Sequence, residues 1–228
     1  MDNYVTKTGP NNTFDMYEPS DPSQVGAKEI FLGLVRLVGP KAQTVVNNPR
    51  PFANAQIFFI HGGPGLGKTH LMEATINALL AVNANLAKRI MYSRGNFASD
   101  YAHASTALFE IYHRDTPIIM IDDVYKERQS VRELSPSDIE AMMNFVTGVY
   151  DRRALVIMTS NFPLKDGITQ RIAEVDKIGR TTSRLEEIMA RSGEIEVRGS
   201  DYRKVLAKDK AVNPLEMLRA LGQARPPN

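Results

Sequence analysis

Residues 62–69 read Gly62-Gly63-Pro64-Gly65-Leu66-Gly67-Lys68-Thr69, and this stretch satisfies G-x-x-x-x-G-K-[ST] at every fixed position. An apolar run at 57–60 precedes it and is typical of a buried strand, and apolar residues at helical spacing follow it up to Leu80. A strand, a glycine loop and a helix in this order form the setting in which the pattern binds phosphate. Backbone N–H groups of such a loop turn inward around an anion, and the helix N-terminus adds partial positive charge. We therefore predict a nucleotide-binding loop over 62–69.

Two side chains of this loop are predicted to carry specific roles. Lys68 is expected to reach the β- and γ-phosphates of a bound nucleotide, and the Thr69 hydroxyl is expected to coordinate Mg²⁺. The remaining predicted contacts to the nucleotide are made by the backbone of the loop, at Gly62, Gly63, Pro64, Gly65, Leu66 and Gly67. ATP and Mg²⁺ are therefore the expected cofactors.

Composition narrows the class of protein. A length of 228 residues suits one α/β domain with short extensions. The absence of cysteine excludes disulfides, cysteine-based zinc sites and thiol catalysis, and it fits a reducing cytoplasm, which is the expected location. No apolar run approaches the length of a membrane span, so no membrane partner is expected. The net charge of +2 does not by itself indicate nucleic acid binding, but Lys and Arg outnumber Asp and Glu from Lys177 onward.

The rest of the chain alternates between strand and helix patterns. Short apolar runs predict further strands over 89–92, 117–121 and 154–158, and apolar spacing predicts helices over 27–38 and 96–112 and from Ser135 onward. Ser135 is a candidate N-cap, with Pro136 at the first helical position. This alternation predicts a three-layer α/β domain of the P-loop type with a parallel central sheet. Later segments are predicted as helices over 169–178 and 182–190 and a strand over 194–198.

Three parts of the chain are predicted from these patterns. Residues 1–27 are expected to form an extended or partly disordered arm, residues 28–204 the nucleotide-binding domain, and residues 205–228 a tail. The segment 40–55 is expected to be a loop that leads to the first strand. The tail contains a short helix pattern over 214–221 with few apolar residues, which suits docking either on its own domain or on a partner.

An acidic pair follows the third predicted strand. Asp122 and Asp123 come directly after the apolar run 117–121, which we expect to lie on the strand next to the nucleotide loop. Asp122 is predicted to hold Mg²⁺, directly or through water, and Asp123 is predicted to polarise the attacking water. ATP and Mg²⁺ would then bind between the first and third strands.

A polar triplet ends the fourth predicted strand, at Thr159-Ser160-Asn161. Because this strand is expected beside the one that carries the acids, Asn161 would lie near the γ-phosphate. There it could orient water or sense hydrolysis. An Asx-turn before Pro163 is compatible with the same role.

Several strings resemble the AAA+ ATPases of the DnaA/DnaC clade, which comprises replication initiators, helicase loaders and the related IstB-type transposition helpers. The loop string through His70-Leu71-Met72 resembles that clade, and so do Thr13-Phe14-Asp15, the string 92–97 and Ile121-Asp122-Asp123-Val124. Further matches lie at Thr159-Ser160-Asn161, at Thr182-Ser183-Arg184-Leu185 and over 195–203, so the resemblance covers residues 12–204. It implies an ATPase domain whose nucleotide contacts include His70.

The resemblance also implies two arginine roles and several partners. Arg184 corresponds to the arginine finger that reaches the ATP site of the next subunit, which implies a homo-oligomer, although Arg180 and Arg191 lie nearby. Arg203 corresponds to a sensor arginine that contacts nucleotide in its own subunit. Single-stranded DNA and a replicative helicase are the implied partners. Basic and aromatic residues between the second and third strands are the candidates for DNA contact.

Departures from the family pattern leave the function open. A separate helical lid and a DNA-reading domain are not expected here, which argues against sequence-specific origin binding. We interpret the chain as an ATP-dependent helicase loader that acts in DNA replication. The alternatives are an IstB-like transposition helper, which shares every ATPase residue, and a DnaA-like regulatory adaptor in which hydrolysis is incidental. A small-molecule kinase would leave Thr159-Ser160-Asn161 and Arg184 without a role.

Overall fold

The structure is a computed structural model that describes residues 8–9, 12–94, 116–125 and 128–202. Within these residues a five-stranded sheet has the order β2-β3-β4-β1-β5, and every neighbouring pair is parallel. The strands are β1 Gln56–His61, β2 Ile90–Arg94, β3 Ile118–Val124, β4 Leu155–Ser160 and β5 Gly193–Glu196. The predicted α/β fold with a parallel central sheet is confirmed.

Burial on both faces explains why the strands read as continuous apolar runs. All six residues of β4 are buried, and in β3 only Asp123 is partly exposed. A parallel sheet covered by helices on both sides requires such sequences, because neither face meets water.

The sheet order corrects one expectation. The strand that carries Asp122 and Asp123 was expected beside the strand that leads into the nucleotide loop, but β4 lies between β3 and β1. Strand neighbours are set by long-range pairing, which a local pattern does not report. The nucleotide loop and the end of β3 are still in contact, because Thr69, in the first turn of the helix that follows the loop, donates a hydrogen bond to Asp122.

The helices are α1 Pro22–Val38, α2 Ala42–Asn47, α3 Lys68–Val82, α4 Pro136–Arg152, α5 Thr169–Val175 and α6 Arg180–Ala190. Short 3₁₀ turns occur at Gly39–Lys41, Ala84–Lys88 and Val131–Glu133, and a π-helical turn at Leu164–Ile168 precedes α5. The predicted helix over 96–112 and the tail helix over 214–221 lie outside the described residues.

Two predicted boundaries are wrong at the start of the chain. α1 begins at Pro22, inside the segment predicted as an arm, because the Asp21 side chain accepts a hydrogen bond from the Ser23 N–H and caps the helix. The segment 40–55 is not a plain loop, because α2 occupies Ala42–Asn47. Asp before Pro at a helix start is a recognised signal for an N-terminus.

The start of α4 confirms the predicted cap. The Ser135 hydroxyl accepts from the Asp138 N–H, and the Asp138 carboxylate accepts from the Ser135 N–H at 2.8 Å, so the two residues form a capping box. The box satisfies backbone N–H groups at the N-terminus of α4.

Two apolar clusters pack against the sheet and give it three layers. One contains Phe31 of α1 and Leu71 and Ile76 of α3. The other contains Phe145 of α4 and Leu185 of α6, with α5 beside them. Among the described residues no helix combines the length and the apolar character that crossing a bilayer demands.

Candidate functional site: a nucleotide pocket at the carboxyl edge of the sheet

A pocket of about 710 Å³ opens where β1, β3 and β4 end. Its lining comes from the arm and the start of α1, from residues 64–70, from Asp122 and Asp123, from Asn161, and from Ser200 and Tyr202. Ligands of open parallel α/β sheets bind outside the carboxyl ends of the strands, and this pocket has that position.

The loop that precedes α3 requires glycine at particular positions. Gly67 has a φ of +80°, and a Cβ atom there would lie 2.4 Å from Cε2 of Tyr17. Gly62 has a φ of +147°, and a Cβ atom there would lie 2.1 Å from the carbonyl oxygen of Val197. Both the backbone conformation and the close neighbours therefore exclude side chains, as a loop that wraps around phosphate needs.

Lys68 is held inside the loop. Its Nζ donates to the carbonyl oxygens of Gly62 at 2.6 Å and Gly63 at 2.8 Å, and to Oδ1 of Asn161 at 3.2 Å. Gly62 and Gly63 lie outside the pocket lining, and their carbonyl oxygens hold the Lys68 ammonium. The ammonium is thereby placed between the loop and the end of β4.

Asp122 is fixed by two threonine hydroxyls. Thr69 Oγ1 donates to its Oδ2 at 2.8 Å, and Thr159 Oγ1 donates to its Oδ1 at 2.7 Å. The carboxylate is buried, and its partners come from α3 and β4. Thr69 and Asp122 are the pair predicted to bind metal. The hydrogen bond by which Thr159 also holds the Asp122 carboxylate was not predicted from the sequence.

Asp123 and Asn161 both line the pocket, and their side chains contact each other. Asp123 has a φ of +60° at an irregularity in the pairing of β3 with β4, and its N–H donates to Thr159 Oγ1 at 2.8 Å. Asn161 Nδ2 donates to Asp123 Oδ1 at 3.3 Å, while its Oδ1 accepts from Lys68. Asn161 therefore connects the acidic pair to the lysine of the loop.

The first turn of α3 also contacts the arm. His70 Nε2 lies 2.7 Å from the carbonyl oxygen of Thr13, and its ring centroid is 5.6 Å from that of Tyr17. His70 lines the pocket as well, so the residue predicted to contact nucleotide also supports the segment that faces it.

Some pocket residues were not predicted from the sequence. Tyr17 donates through its hydroxyl to the Leu66 carbonyl at 3.1 Å, and burial raises the pKa of Tyr17 to about 12. On the opposite side, the Tyr202 N–H donates to the Gly65 carbonyl at 3.0 Å. Both contacts join segments that are far apart in sequence. For the contact of Tyr17, the sequence offers a local signal in the nearby string Thr13-Phe14-Asp15.

The family model for the bacterial DnaA ATPase domain matches residues 36–174 of this chain. The chain belongs to the bacterial DnaA ATPase domain family. It is 30% identical over 164 residues to the chromosomal replication initiator protein DnaA of Limosilactobacillus reuteri (strain DSM 20016), which covers 70% of this chain and 35% of that protein. The DnaA-type chain thus spans about a third of the length of this curated relative.

Solved structures share the AAA+ fold of the DnaA-type domain. The DnaC helicase loader has a TM-score of 0.51 and 22% identity, with 82% of this chain and 97% of that chain covered. AMPPCP-bound DnaA from Aquifex aeolicus has a TM-score of 0.53 and 19% identity, with 91% and 57% covered. The family model confirms the predicted resemblance to the DnaA clade, and the solved structures show that this chain shares the fold of DnaA and DnaC.

Of the two predicted arginines of the DnaA-type domain, Arg184 belongs to the described residues. Arg184 lies on α6, outside the pocket lining, with its Nη2 3.3 Å from Asp151 Oδ1 and its guanidinium 5.0 Å from the centroid of the Tyr150 ring. Its side chain is 25% exposed. Arg203 lies outside the described residues. Neither assignment is tested by this geometry, so both stay predictions.

Proposed function

We propose that this DnaA-type domain binds ATP with Mg²⁺, hydrolyses it, and acts as a helicase loader in DNA replication. The observation that carries the proposal is the connected set of side chains in the pocket. Lys68, Asn161 and Asp123 form one hydrogen-bonded chain, and Thr69 and Asp122 form another beside it. DnaA from Aquifex aeolicus binds AMPPCP, an ATP analogue, and this supports ATP as the ligand.

Phosphate binding is assigned to the loop and to α3. Backbone N–H groups of the loop and the N-terminus of α3 present partial positive charge to an anion. Lys68 adds a full charge, already directed into the loop by the Gly62 and Gly63 carbonyls. Phosphate oxygens can replace these carbonyls as acceptors at little cost in conformational entropy, because the lysine is already held.

Thr69 Oγ1 and Asp122 Oδ2 lie 2.8 Å apart and fit a magnesium ion, which prefers hydroxyl, carboxylate and phosphate oxygens. When bound, the ion would neutralise charge on the β- and γ-phosphates. Thr159 would keep the Asp122 carboxylate oriented toward Thr69. This second support restricts the rotation of the acid side chain.

Asp123 and Asn161 are assigned to the attacking water. The left-handed backbone at Asp123 directs its carboxylate away from the strand and toward Asn161. Asn161 contacts both Lys68 and Asp123, so it can respond to the γ-phosphate and orient water. Removing a positioned proton acceptor typically lowers hydrolysis by about 10²–10⁴-fold.

Assembly and partners form the finer part of the proposal. Arg184 would complete the ATP site of a neighbouring subunit, in an oligomer that forms with ATP and binds single-stranded DNA. The likeness to the DnaC helicase loader, which is covered over 97% of its chain, supports a replicative helicase as the partner. Cytoplasmic location follows from this role.

The first test is Lys68→Ala, with Lys88→Ala as a matched control on the exposed 3₁₀ turn. We expect Lys68→Ala to weaken ATP binding by at least about tenfold, because a charged hydrogen bond contributes about 1.5–3 kcal/mol. Isothermal titration of Mg-ATP into each protein measures the change. Equal affinity in the two variants would contradict the site assignment.

The loader role needs a separate measurement, because an IstB-like transposition helper would share the same ATPase residues. Native mass spectrometry of the protein mixed with the replicative helicase of its source organism, with and without ATP and single-stranded DNA, tests the loader role. We expect a discrete complex with the helicase. ATP-dependent assembly on DNA without helicase would instead favour the transposition helper, and absence of turnover with or without DNA would favour a DnaA-like adaptor.

A further inference from the structure

One face of α3 holds the arm in place. His70, Glu73 and Asn77 follow each other at spacings of three and four residues, so their side chains lie on the same face of the helix. Each of them contacts residues of the arm. The helix that begins at the nucleotide loop therefore also positions the segment formed by residues 8–9 and 12–20, which we call the strap.

Glu73 is the central contact. Its side chain is buried, and Oε2 accepts hydrogen bonds from the Gly9 N–H at 2.9 Å and from Asn12 Nδ2 at 2.6 Å. Oε1 accepts from the Tyr92 hydroxyl at 3.2 Å. A buried carboxylate is costly unless donors surround it, and the Gly9 and Asn12 donors both belong to the strap.

Asn77 adds a second attachment one turn further along α3. Its Nδ2 donates to the carbonyl oxygens of Gly9 at 3.1 Å and Asn12 at 2.9 Å, and its Oδ1 accepts from Thr8 Oγ1 at 3.0 Å. The amide thus binds three residues of the strap with both its donor and acceptor atoms. Together, Glu73 and Asn77 fix the backbone at Gly9 and Asn12.

The strap then continues into the wall of the nucleotide pocket. Asn12, Met16, Tyr17, Glu18 and Ser20 line the pocket, whereas Glu73 and Asn77 do not. The groups assigned to phosphate and metal, Lys68, Thr69 and Asp122, come from α3 and β3. The strap therefore lines a side of the pocket to which none of these three groups belongs.

We propose that Glu73 and Asn77 are positioning residues that hold the strap against the pocket and thereby set the affinity for the nucleoside part of ATP without touching it. This rests on the proposed binding of ATP. Loosening the strap at Gly9 and Asn12 should reduce the contribution of base and ribose. The phosphate contacts should stay in place, because the bond from the Tyr17 hydroxyl to the Leu66 carbonyl involves neither Glu73 nor Asn77. A merely structural role would weaken binding of both parts together.

The experiment compares two probes, Mg-ATP and Mg-tripolyphosphate, by isothermal titration. Glu73→Gln removes the negative charge that strengthens the hydrogen bonds from the Gly9 N–H and Asn12 Nδ2, and Asn77→Ala removes the second attachment. We expect either variant to weaken ATP binding by about tenfold, or 1.4 kcal/mol, and tripolyphosphate binding by less than about twofold. Glu29→Gln, whose side chain is 59% exposed on α1, is the matched control and should change neither affinity.

A double-mutant cycle separates the strap from general damage. Asn12→Ala removes the side-chain amide that donates to Glu73 Oε2 and leaves the bond from the Tyr92 hydroxyl to Glu73 Oε1. This variant therefore stays informative if Glu73→Gln folds poorly. The effects of Asn12→Ala and Glu73→Gln on ATP affinity should fall short of additivity, because they remove the same contact.

Equal losses for ATP and tripolyphosphate, or unchanged ATP affinity in Asn12→Ala and Asn77→Ala, would overturn the positioning role. Lys68→Ala distinguishes this outcome from failure of the proposed function. If Lys68→Ala loses both probes while the strap variants change neither, only the role of Glu73 and Asn77 is wrong. If Lys68→Ala binds ATP normally, the proposed nucleotide site itself is wrong.

Discussion

Asp122 and Asp123 are neighbours in sequence but have different surroundings. Asp122 is buried and accepts hydrogen bonds from two threonine hydroxyls, which restrict it to one orientation. Asp123 is partly exposed in the pocket, and its bond from Asn161 is longer, at 3.3 Å. A fixed carboxylate suits metal coordination, and a less constrained one suits contact with a water molecule that enters and leaves. The environments therefore support the division of roles between the two acids.

Tyr17 gives a prediction about alkaline pH. Burial raises its pKa from 10.0 to about 12, so between these values the unfolded chain loses the phenolic proton while the folded chain keeps it. The free energy of unfolding must then fall as pH rises through this window. Tyr17→Phe has no such proton, so its stability should decline less steeply from pH 10 to 12.

Urea unfolding across this window measures the difference between the wild type and Tyr17→Phe. Burial also raises the pKa of Tyr125, but this residue is present in both proteins and its effect cancels. At neutral pH the variant should be less stable by about 0.5–1.5 kcal/mol, since it lacks the bond to the Leu66 carbonyl. Parallel stability curves would show that the Tyr17 hydroxyl does not remain buried.

The pocket side chains to which roles are proposed could be located from the sequence because their signals are local. Lys68, Thr69, Asp122 and Asn161 each follow a strand or glycine pattern within a few residues. Glu73 gave no such signal, because its partners in the strap lie 64 and 61 residues away. Within an apolar helix pattern, a single acid does not reveal whether it is buried or solvated.

The N-terminus of α4 offers a test of local stability. Ser135→Ala removes the hydroxyl that caps the helix and leaves the Asp138 N–H without its acceptor. We expect a loss of about 1 kcal/mol in the free energy of unfolding, or roughly 2–4 °C in Tm for a domain of this size. Thermal unfolding followed by circular dichroism measures it.

Ser130→Ala is a suitable control for that change. Ser130 occupies the same N-cap position before the Val131–Glu133 turn, but its side chain makes no capping hydrogen bond. Its substitution should therefore change Tm by much less than Ser135→Ala. A similar loss of Tm in both variants would mean that the Ser135 hydroxyl contributes no more to stability than that of Ser130, which makes no capping hydrogen bond.

Strands were easier to predict than their ends and neighbours. Apolar runs located β1 to β4, but β3 continues through Asp122 and Asp123 to Val124, because pairing with β4 extends the strand past its apolar part. The start of α1 was missed even though Asp21 and Pro22 carry a recognisable signal. The order of the strands depends on long-range pairing and could not be read from periodicity.

Arg184 provides a prediction about assembly of the whole protein. If it acts in the neighbouring subunit, Arg184→Ala should bind ATP normally but lose most hydrolysis, since measured arginine fingers contribute ~10³–10⁵ in rate. Asp123→Asn should also lose hydrolysis. A mixture of the two variants should regain activity, because some interfaces then combine an intact Asp123 with an intact Arg184.

Phosphate release by each variant and by the equimolar mixture measures this recovery. Arg191→Ala is the matched control, because Arg191 directly follows α6, is 43% exposed and pairs with Glu187. Normal turnover by Arg184→Ala, with loss in Arg191→Ala, would move the finger to Arg191. Lack of recovery in the mixture would argue that the arginine acts within its own subunit.

The pairing of β5 with β1 determines when the nucleotide pocket can be completed during synthesis on the ribosome. Phe58 pairs with Gly193, and the Val197 N–H donates to the carbonyl of His61, directly before the nucleotide loop. A ribosome that adds about 5–20 residues per second needs roughly 7–27 seconds to travel from Phe58 to Gly193. During that time the loop is made but lacks one of its walls. Nascent chains should therefore acquire their nucleotide late in translation, after most of the sheet has formed.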